Sequence, residues 1–205
     1  MGGRGIGTVF NLIATSGREV EFDAKLELQL LLSEVGDDSA KVWESGVSGL
    51  ILANTRLEPR EATRRLRDLL SERPFDFKLL KRIIPVEVWM ETDLKKIEEA
   101  CAKLSKRIQT TETFRVTVEK RRTRLRSREL IEAAARHVDA RVDLEKPDRI
   151  ILIQVVGGET GVSLLGSEKE ILNVDKAFLE KIDEESNLLS TTEDQVPSGS
   201  FPQDR

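Results

Sequence analysis

The sequence is 205 residues long, 39% hydrophobic and 34% charged, with a formal net charge of −4, which suits one ordinary domain or two small ones packed together. Aromatic residues make up only 4% and tyrosine is absent, so the core must rest on Leu, Ile, Val and Ala, and base stacking on rings is disfavoured as a binding device. Cys101, the one cysteine, excludes an internal disulfide, and the longest nearly unbroken apolar run, Ile150 to Val156, falls far short of the ~20 residues that cross a bilayer. With no charged-then-apolar leader, a reducing, cytoplasmic setting away from membranes is expected. The start MGGRGIG matches an acylation signal only as far as Gly2, because Ile6 stands where that signal needs Ser or Thr. Charge is segregated: from Asp183 onward, six acids (Asp183, Glu184, Glu185, Glu193, Asp194, Asp204) meet only Arg205, leaving residues 1–182 at about +1. That acidic segment also carries Pro197, Gly199 and Pro202 with no apolar period, the composition of a disordered tail.

In chain order, Val9 to Ala14 reads as a short strand, and Gly17 separates it from a helix over Glu19 to Val35 in which Leu28, Leu31, Leu32 and Val35 share a face. Gly36, Asp37 and Asp38 stop that helix. Ala40 to Glu44 and Gly49 to Asn54 read as strands joined by a turn at Ser45 and Gly46. Pro59 opens a helix that runs to about Arg73, with Ala62, Leu66, Leu69 and Leu70 inward and Arg60, Arg64 and Arg67 outward. A strand over Leu79 to Met90, bent near Pro85, would complete a ferredoxin-like unit.

A second unit begins with Asp93 as the cap of a helix whose Ile97, Cys101, Leu104 and Ile108 form a buried stripe, so Cys101 reads as a small core residue. Phe114, Val116 and Val118 alternate with Arg115, Thr117 and Glu119, the pattern of a half-buried strand. A helix from Ser127 follows, with Leu130, Ala134 and Val138 inward and Ile131 and Ala135 beside them. Ile150 to Val156 reads as a buried strand that turns through Gly157, Gly158 and Gly161 into Val162 to Leu165. Strands and helices alternate in both halves, which is the pattern of an α/β (α+β) protein.

Between the half-buried strand and the helix at Ser127 lies KRRTRLRSREL, with six cations in nine positions: Lys120, Arg121, Arg122, Arg124, Arg126 and Arg128. A helix amino end offers unpaired amide hydrogens and a partial positive charge, and guanidinium forks match phosphate geometry. The block also reads as a solvated charge run, paired with carboxylates of a neighbouring element or of the acidic tail. Two further clusters, Arg60/Arg64/Arg67 and Lys78/Lys81/Arg82, would join it in one track if the strands at 79–90 and 114–119 are neighbours, and a polyanion several phosphates long is then the natural ligand.

RIIPVEVW at Arg82–Trp89, FRVTVEKR at Phe114–Arg121, SRELIEAAA at Ser127–Ala135, VDLEKPDRIILIQVVG at Val142–Gly157 and GVSLL at Gly161–Leu165 resemble, in order, a THUMP domain. NLIATSGRE at Asn11–Glu19 and GLILANT at Gly49–Thr55 resemble the ferredoxin-like domain that accompanies THUMP in stand-alone proteins of the tRNA-acetylation adaptor type. The resemblance implies a ferredoxin-like domain over residues 7–75 and a THUMP RNA-binding domain over 76–170; the remaining residues, 171–205, lie outside it and read as a C-terminal helix fragment and the disordered acidic tail. It further implies binding of the acceptor end of tRNA on behalf of a modifying enzyme, in that family an acetyltransferase making acetylcytidine. An RNA-contacting role carries over to Arg82 and to the loop from Lys120 through Ser127 and Arg128.

The residues themselves offer no catalytic set. TSGRE at Thr15–Glu19 is too short for a phosphate-gripping loop, GGETG at Gly157–Gly161 lies between two apparent strands, and the single His137 and single Cys101 do not form a zinc site or a nucleophile–base pair. His137 reads as a surface residue near a helix carboxyl end, and Glu98 and Glu99 as solvated charge. The expectation is a noncatalytic adaptor without cofactor or metal. The alternative is a ferredoxin-like assembly or regulatory module whose basic face meets an acidic protein.

Overall fold

A computed structural model describes residues 9–179. Strand β1 (Leu12–Ser16) is followed by α1 (Glu21–Glu34), the hairpin β2 (Lys41–Glu44) and β3 (Leu50–Asn54), then α2 (Pro59–Glu72) and β4 (Leu80–Pro85). These strands pair antiparallel in the order β4-β1-β3-β2, the ferredoxin-like arrangement. Pro59 occupies the first turn of α2, and the Glu58 carboxylate accepts the Glu61 amide at 2.9 Å. Helix α1 buries Ala24, Leu28, Leu31 and Leu32, yet its opposite side exposes Phe22, Leu26 and Leu30 at four-residue spacing.

The second sheet comprises β5 (Val88–Glu91), β6 (Thr113–Arg121), β7 (Arg141–Val142), β8 (Arg149–Val156) and β9 (Glu159–Leu165), ordered β5-β9-β8-β6-β7. Strand β6 runs parallel to β7 and β8. Helices α3 (Leu94–Ser105) and α4 (Ser127–Ala135) cover its outer face, and Asp93 caps α3 by accepting the amides of Lys95 and Lys96. One apolar cluster joins α1 and α2 to the first sheet and a second joins α3 and α4 to the second sheet. A third, containing Phe10, Ile13, Leu52 and Ile84 with Ile150, Leu152 and Leu165, joins the two sheets face to face. The layers are thus helices, sheet, sheet, helices.

Several expectations change in detail. The segment 79–90, expected as one bent strand, is two strands in different sheets: β4 ends at Pro85, the Val86 amide donates to the Asn11 carbonyl in the first sheet, and the Glu87 amide donates to the Val162 carbonyl in the second. Proline's missing N–H allows pairing to stop there. Strand β4, beyond the expected boundary at residue 75, closes the first sheet, and β10 (Leu172–Asn173), within the region read as helix fragment and tail, returns to its edge beside β4. Val9 precedes β1 and is exposed, and Ile131 points outward on α4 while Ala133 takes the buried place. The acidic segment from Asp183 lies outside the described residues.

Gly161 is not part of the β8–β9 turn but sits inside β9, opposite Gln154 and Trp89. A Cβ there would approach a Val86 methyl to 2.9 Å and the Trp89 ring to 3.2 Å. Val86 is fully packed, so Gly161→Ala should cost about 1–3 kcal/mol in a denaturant titration. An unchanged midpoint would mean the layer yields.

Asp37 ties the end of α1 to the loop after β3. It is 1% exposed, and its carboxylate accepts the Thr55 hydroxyl (2.6 Å), the Arg56 amide (2.6 Å) and guanidinium (3.1 Å), and the Ser39 hydroxyl (2.7 Å). Burial alone would raise its pKa, but these donors outweigh burial and hold it well below the usual carboxylate range. A depressed folded-state pKa contributes stability that is complete above about pH 4 and is withdrawn as pH falls. Asp37→Asn should lose roughly 2–3 kcal/mol at neutral pH and flatten the acid limb of a stability–pH profile; a profile identical to that of the parent chain would contradict this.

Candidate nucleic-acid interface

The basic loop leaves β6 and enters α4, and its local geometry decides which cations face solvent. The Lys120 ammonium donates back to the Leu125 carbonyl at 2.8 Å, and Leu125 packs on the core beneath α3 and α4. Arg122 adopts a left-handed backbone (φ 53°), rare for a residue with a Cβ, and its guanidinium donates to the Gly46 carbonyl in the β2–β3 turn of the other sheet. The loop is thereby pinned at both ends, with Arg124 and Arg126 on either side of the inward Leu125. Both are exposed, and neither guanidinium has a hydrogen-bond or ion-pair partner among the described residues. Glu129 caps α4 by accepting the Arg126 amide at 2.8 Å, leaving exposed Ser127 in the first turn. Arg128 pairs with Glu132 one turn on at 2.7 Å, though its side chain is 88% exposed. Arg121 lies 4.0 Å from Glu119.

The other two clusters separate. Arg60 is not an outward cation: its guanidinium bonds Glu87, Glu170 (2.6 Å) and the Leu164 carbonyl, joining α2 to the second sheet. Arg64 is exposed but held at 2.8 Å by both Glu61 and Asp68, so its charge is locally neutralised. Arg67 donates to the carbonyls of Lys169 and Ile171. Lys78 and Lys81 are exposed, and Lys81, alternating with Arg82, lies on the opposite face of β4. Strands β4 and β6 are not paired in one sheet; they face each other across the layer, where Arg82 forks onto Glu119 at 3.1 Å.

Where the sheets diverge beyond that pair, a cleft of about 970 Å³ opens between β4 and β10 on one side and β6 and β8 on the other. Arg67, Arg82 and Arg115 line it with Lys169 and Lys176, above an apolar floor that includes Ile150, Leu152 and Leu165. Two carboxylates also line it, Glu119 held by Arg82 and Glu168 held by Arg115 at 2.6 Å. Its described lining thus counts five cations and two carboxylates, and the cleft ends, at Glu119, at the root of the basic loop. Two of the sequence-predicted cations, Arg67 and Arg82, meet here. Arg115, Lys169 and Lys176 were not anticipated, although Arg115 stood on the polar side of the alternation in β6.

The remaining reactive groups are inert or structural. Cys101 is fully buried, and burial pushes its thiol up to about 12. His137 follows α4, and its Nε2 lies 2.9 Å from Glu98, which also takes Arg136; Glu98 is a bridging acid between α3 and the end of α4 rather than solvated charge. Hydrogen bonding from His137, against a smaller opposing effect of burial and with help from Arg136, lowers the Glu98 pKa. Among the described residues no group of three or more His, Cys, Asp and Glu converges as a metal site, and no helix is long and apolar enough to cross a membrane.

Residues 91–165 match the THUMP domain family, a span that contains the whole basic loop. The fold is similar to that of PH1313 from Pyrococcus horikoshii, at 18% identity over 77% of this chain and 54% of that one, with a TM-score of 0.55. It is similar to TrmN from Thermus thermophilus at 18% identity over 78% of this chain and 46% of that one, with a TM-score of 0.50. A 4-thiouridine synthetase solved with RNA and bound ATP shows 12% identity over 80% of this chain and 42% of that one, with a TM-score of 0.48. The chain spans about half the length of these structures. No curated protein matches it.

Proposed function

Because residues 91–165 form a THUMP domain, we propose that the chain binds tRNA and presents it to a separate modifying enzyme, a tRNA cytidine acetyltransferase, taking no catalytic part itself. The observation that carries this reading is the loop 120–128 inside the THUMP span, pinned by Arg122 and Lys120 so that Arg124 and Arg126 stand unpaired beside a helix amino end. Phosphates gain both guanidinium forks and first-turn amides there, and Ser127 adds a hydroxyl donor. With few rings on the surface, affinity comes from phosphate neutralisation and the shape of the acceptor end, not from stacking.

An adaptor needs a second face. The exposed stripe Phe22, Leu26 and Leu30 on α1, on the far side of the first sheet from the second, supplies an apolar surface of the kind that meets protein. Both halves are tested in one reconstitution: tRNA acetylation by the enzyme, with and without this chain, and with Leu26→Asp. The reading expects stimulation by the parent chain and its loss in Leu26→Asp, while tRNA binding is retained. Acetylation independent of the chain would refute the adaptor role.

A further inference from the structure

We propose that the bare edge of β6 from Val116 to Lys120 is a docking site for an extended, acidic segment of a partner protein, which adds there as a strand. Hydrogen-bond parity locates the edge. The Phe114 carbonyl accepts the Asp143 amide on the β7 side, and the Arg121 carbonyl accepts the Gly157 amide on the β8 side. Backbone groups alternate in direction along a strand, so Thr117 and Glu119 bond β8 as Arg121 does, while Val116, Val118 and Lys120 turn their amides and carbonyls the way Phe114 does. Strand β7 meets only Thr113 and Phe114, and the backbone groups of Val116, Val118 and Lys120 have no partner on that side among the described residues.

The edge is apolar where α4 overhangs it. Val116 and Val118 are half-buried, whereas Ile151 and Ile153 beside them on β8 are fully covered. Val142, on β7 at the end of the edge, is exposed, and so is Ile131 on α4. Arg136 reaches from α4 to Glu98 on α3, and Ile131 stands on the other flank of the buried Leu130, away from α3. A strand laid along residues 116–120 would run where a longer β7 would and cover these side chains. Val116, Thr117 and Val118 carry none of the proline, bulge or charge with which sheets blunt an open edge.

Chemistry selects the occupant. Amides and carbonyls alternate along the edge, so a phosphate backbone would set its charge against carbonyls, whereas a peptide strand satisfies donors and acceptors alike. A second copy of the chain is opposed by charge: the antiparallel register that uses all three positions, centred on Val118, sets Arg115 directly across from Arg121. At its far end the edge runs into Lys120 and Arg122, whose charged groups donate to the neutral carbonyls of Leu125 and Gly46. Carboxylates on the incoming segment answer those charges. This surface is separate from the α1 stripe, and a strand docked on it brings its protein to the root of the basic loop.

Amide hydrogen exchange on the full chain tests this, with a blocked octapeptide, Val-Thr-Val-Thr between two Asp-Glu pairs, as the probe. Without peptide, the amides of Val116, Val118 and Lys120 should exchange about tenfold or more faster than those of Thr117 and Glu119. Millimolar peptide should slow those three about tenfold, methylation of alternate peptide nitrogens should abolish the effect for one set of positions and spare it for the other, and replacing the acids by Lys should remove it. Val118→Pro, which deletes an edge donor and leaves the β8 ladder its bonds, should release the peptide. Should that variant not fold, the exchange and methylated-peptide results decide alone. Slow exchange of the three amides in the chain by itself, slowing that follows protein concentration, slowing by tRNA in place of the peptide, equal binding of the Lys peptide, or no slowing at millimolar peptide would each overturn the proposal. The supporting results involve no RNA, so failure of the chain to bind tRNA would strike the RNA reading and leave this inference standing.

Discussion

Changing Arg124 and Arg126 together to Glu should weaken tRNA binding roughly a hundredfold at moderate salt, since each charge-assisted contact is worth about 1.5 kcal/mol or more. The slope of log affinity against log salt should fall by about 1.4–1.8, from two lost phosphates. Both side chains are exposed and unpaired among the described residues, so the fold should be indifferent to the change. A thermal midpoint equal to that of the parent separates lost contact from lost structure. Arg64→Glu is the matched control: that guanidinium is already held by Glu61 and Asp68, and its replacement should leave tRNA affinity within about twofold. Equal losses in the two variants would mean that binding follows overall charge and not this loop.

The largest effect on stability should come from Glu87→Ala. Glu87 sits where the chain crosses between sheets, is 15% exposed, and accepts from Arg60, Arg107 and the Leu164 amide at 2.8 Å. Its removal leaves Arg60 half-buried with Glu170 and the more distant Glu58 (4.0 Å) as its counter-charges and orphans a backbone donor. Breaking such a pair from one side costs about 3–5 kcal/mol, or roughly 6–20 °C in Tm for a chain of this size. Glu87→Gln keeps one acceptor and should lose less. A calorimetric midpoint within 2 °C of the parent for Glu87→Ala would mean that the core between the sheets holds the joint without this network.

What could be read from the chain, and what could not, follows the range of the forces involved. Helix α3 was legible because its stripe Ile97, Cys101, Leu104 repeats every three or four residues, and all three are buried. The ferredoxin-like order was legible from the alternation of elements with Pro59 and the Ser45–Gly46 turn as punctuation. Strand β5 was hidden because past Pro85 only Glu87 interrupts the apolar residues, as one polar position of a continuing strand would, and β10 because two residues carry no period. Among the cations, local sequence shows a positive run but not its counter-charges. Arg60 finds Glu87 and Glu170 at separations of 27 and 110 residues, which no window along the chain reveals. Arg64, by contrast, has Glu61 and Asp68 at helical spacing, a neutralising pattern visible in the sequence itself.

The same distinction explains the cleft. Arg67, Arg82 and Arg115 come from α2, β4 and β6, and only packing of the two sheets brings them to one wall. The polar side of β6 was readable from its alternation, but which sheet it would face was not.

The claim that the β6–α4 loop is the RNA-facing surface is tested most directly by photo-crosslinking tRNA bearing photoreactive uridines and mapping the attached peptides. Adducts should concentrate on residues 120–128 and extend to Arg82 or Arg115 at the cleft. Adducts confined to the outer faces of α1 and α2, with none on the loop, would contradict it.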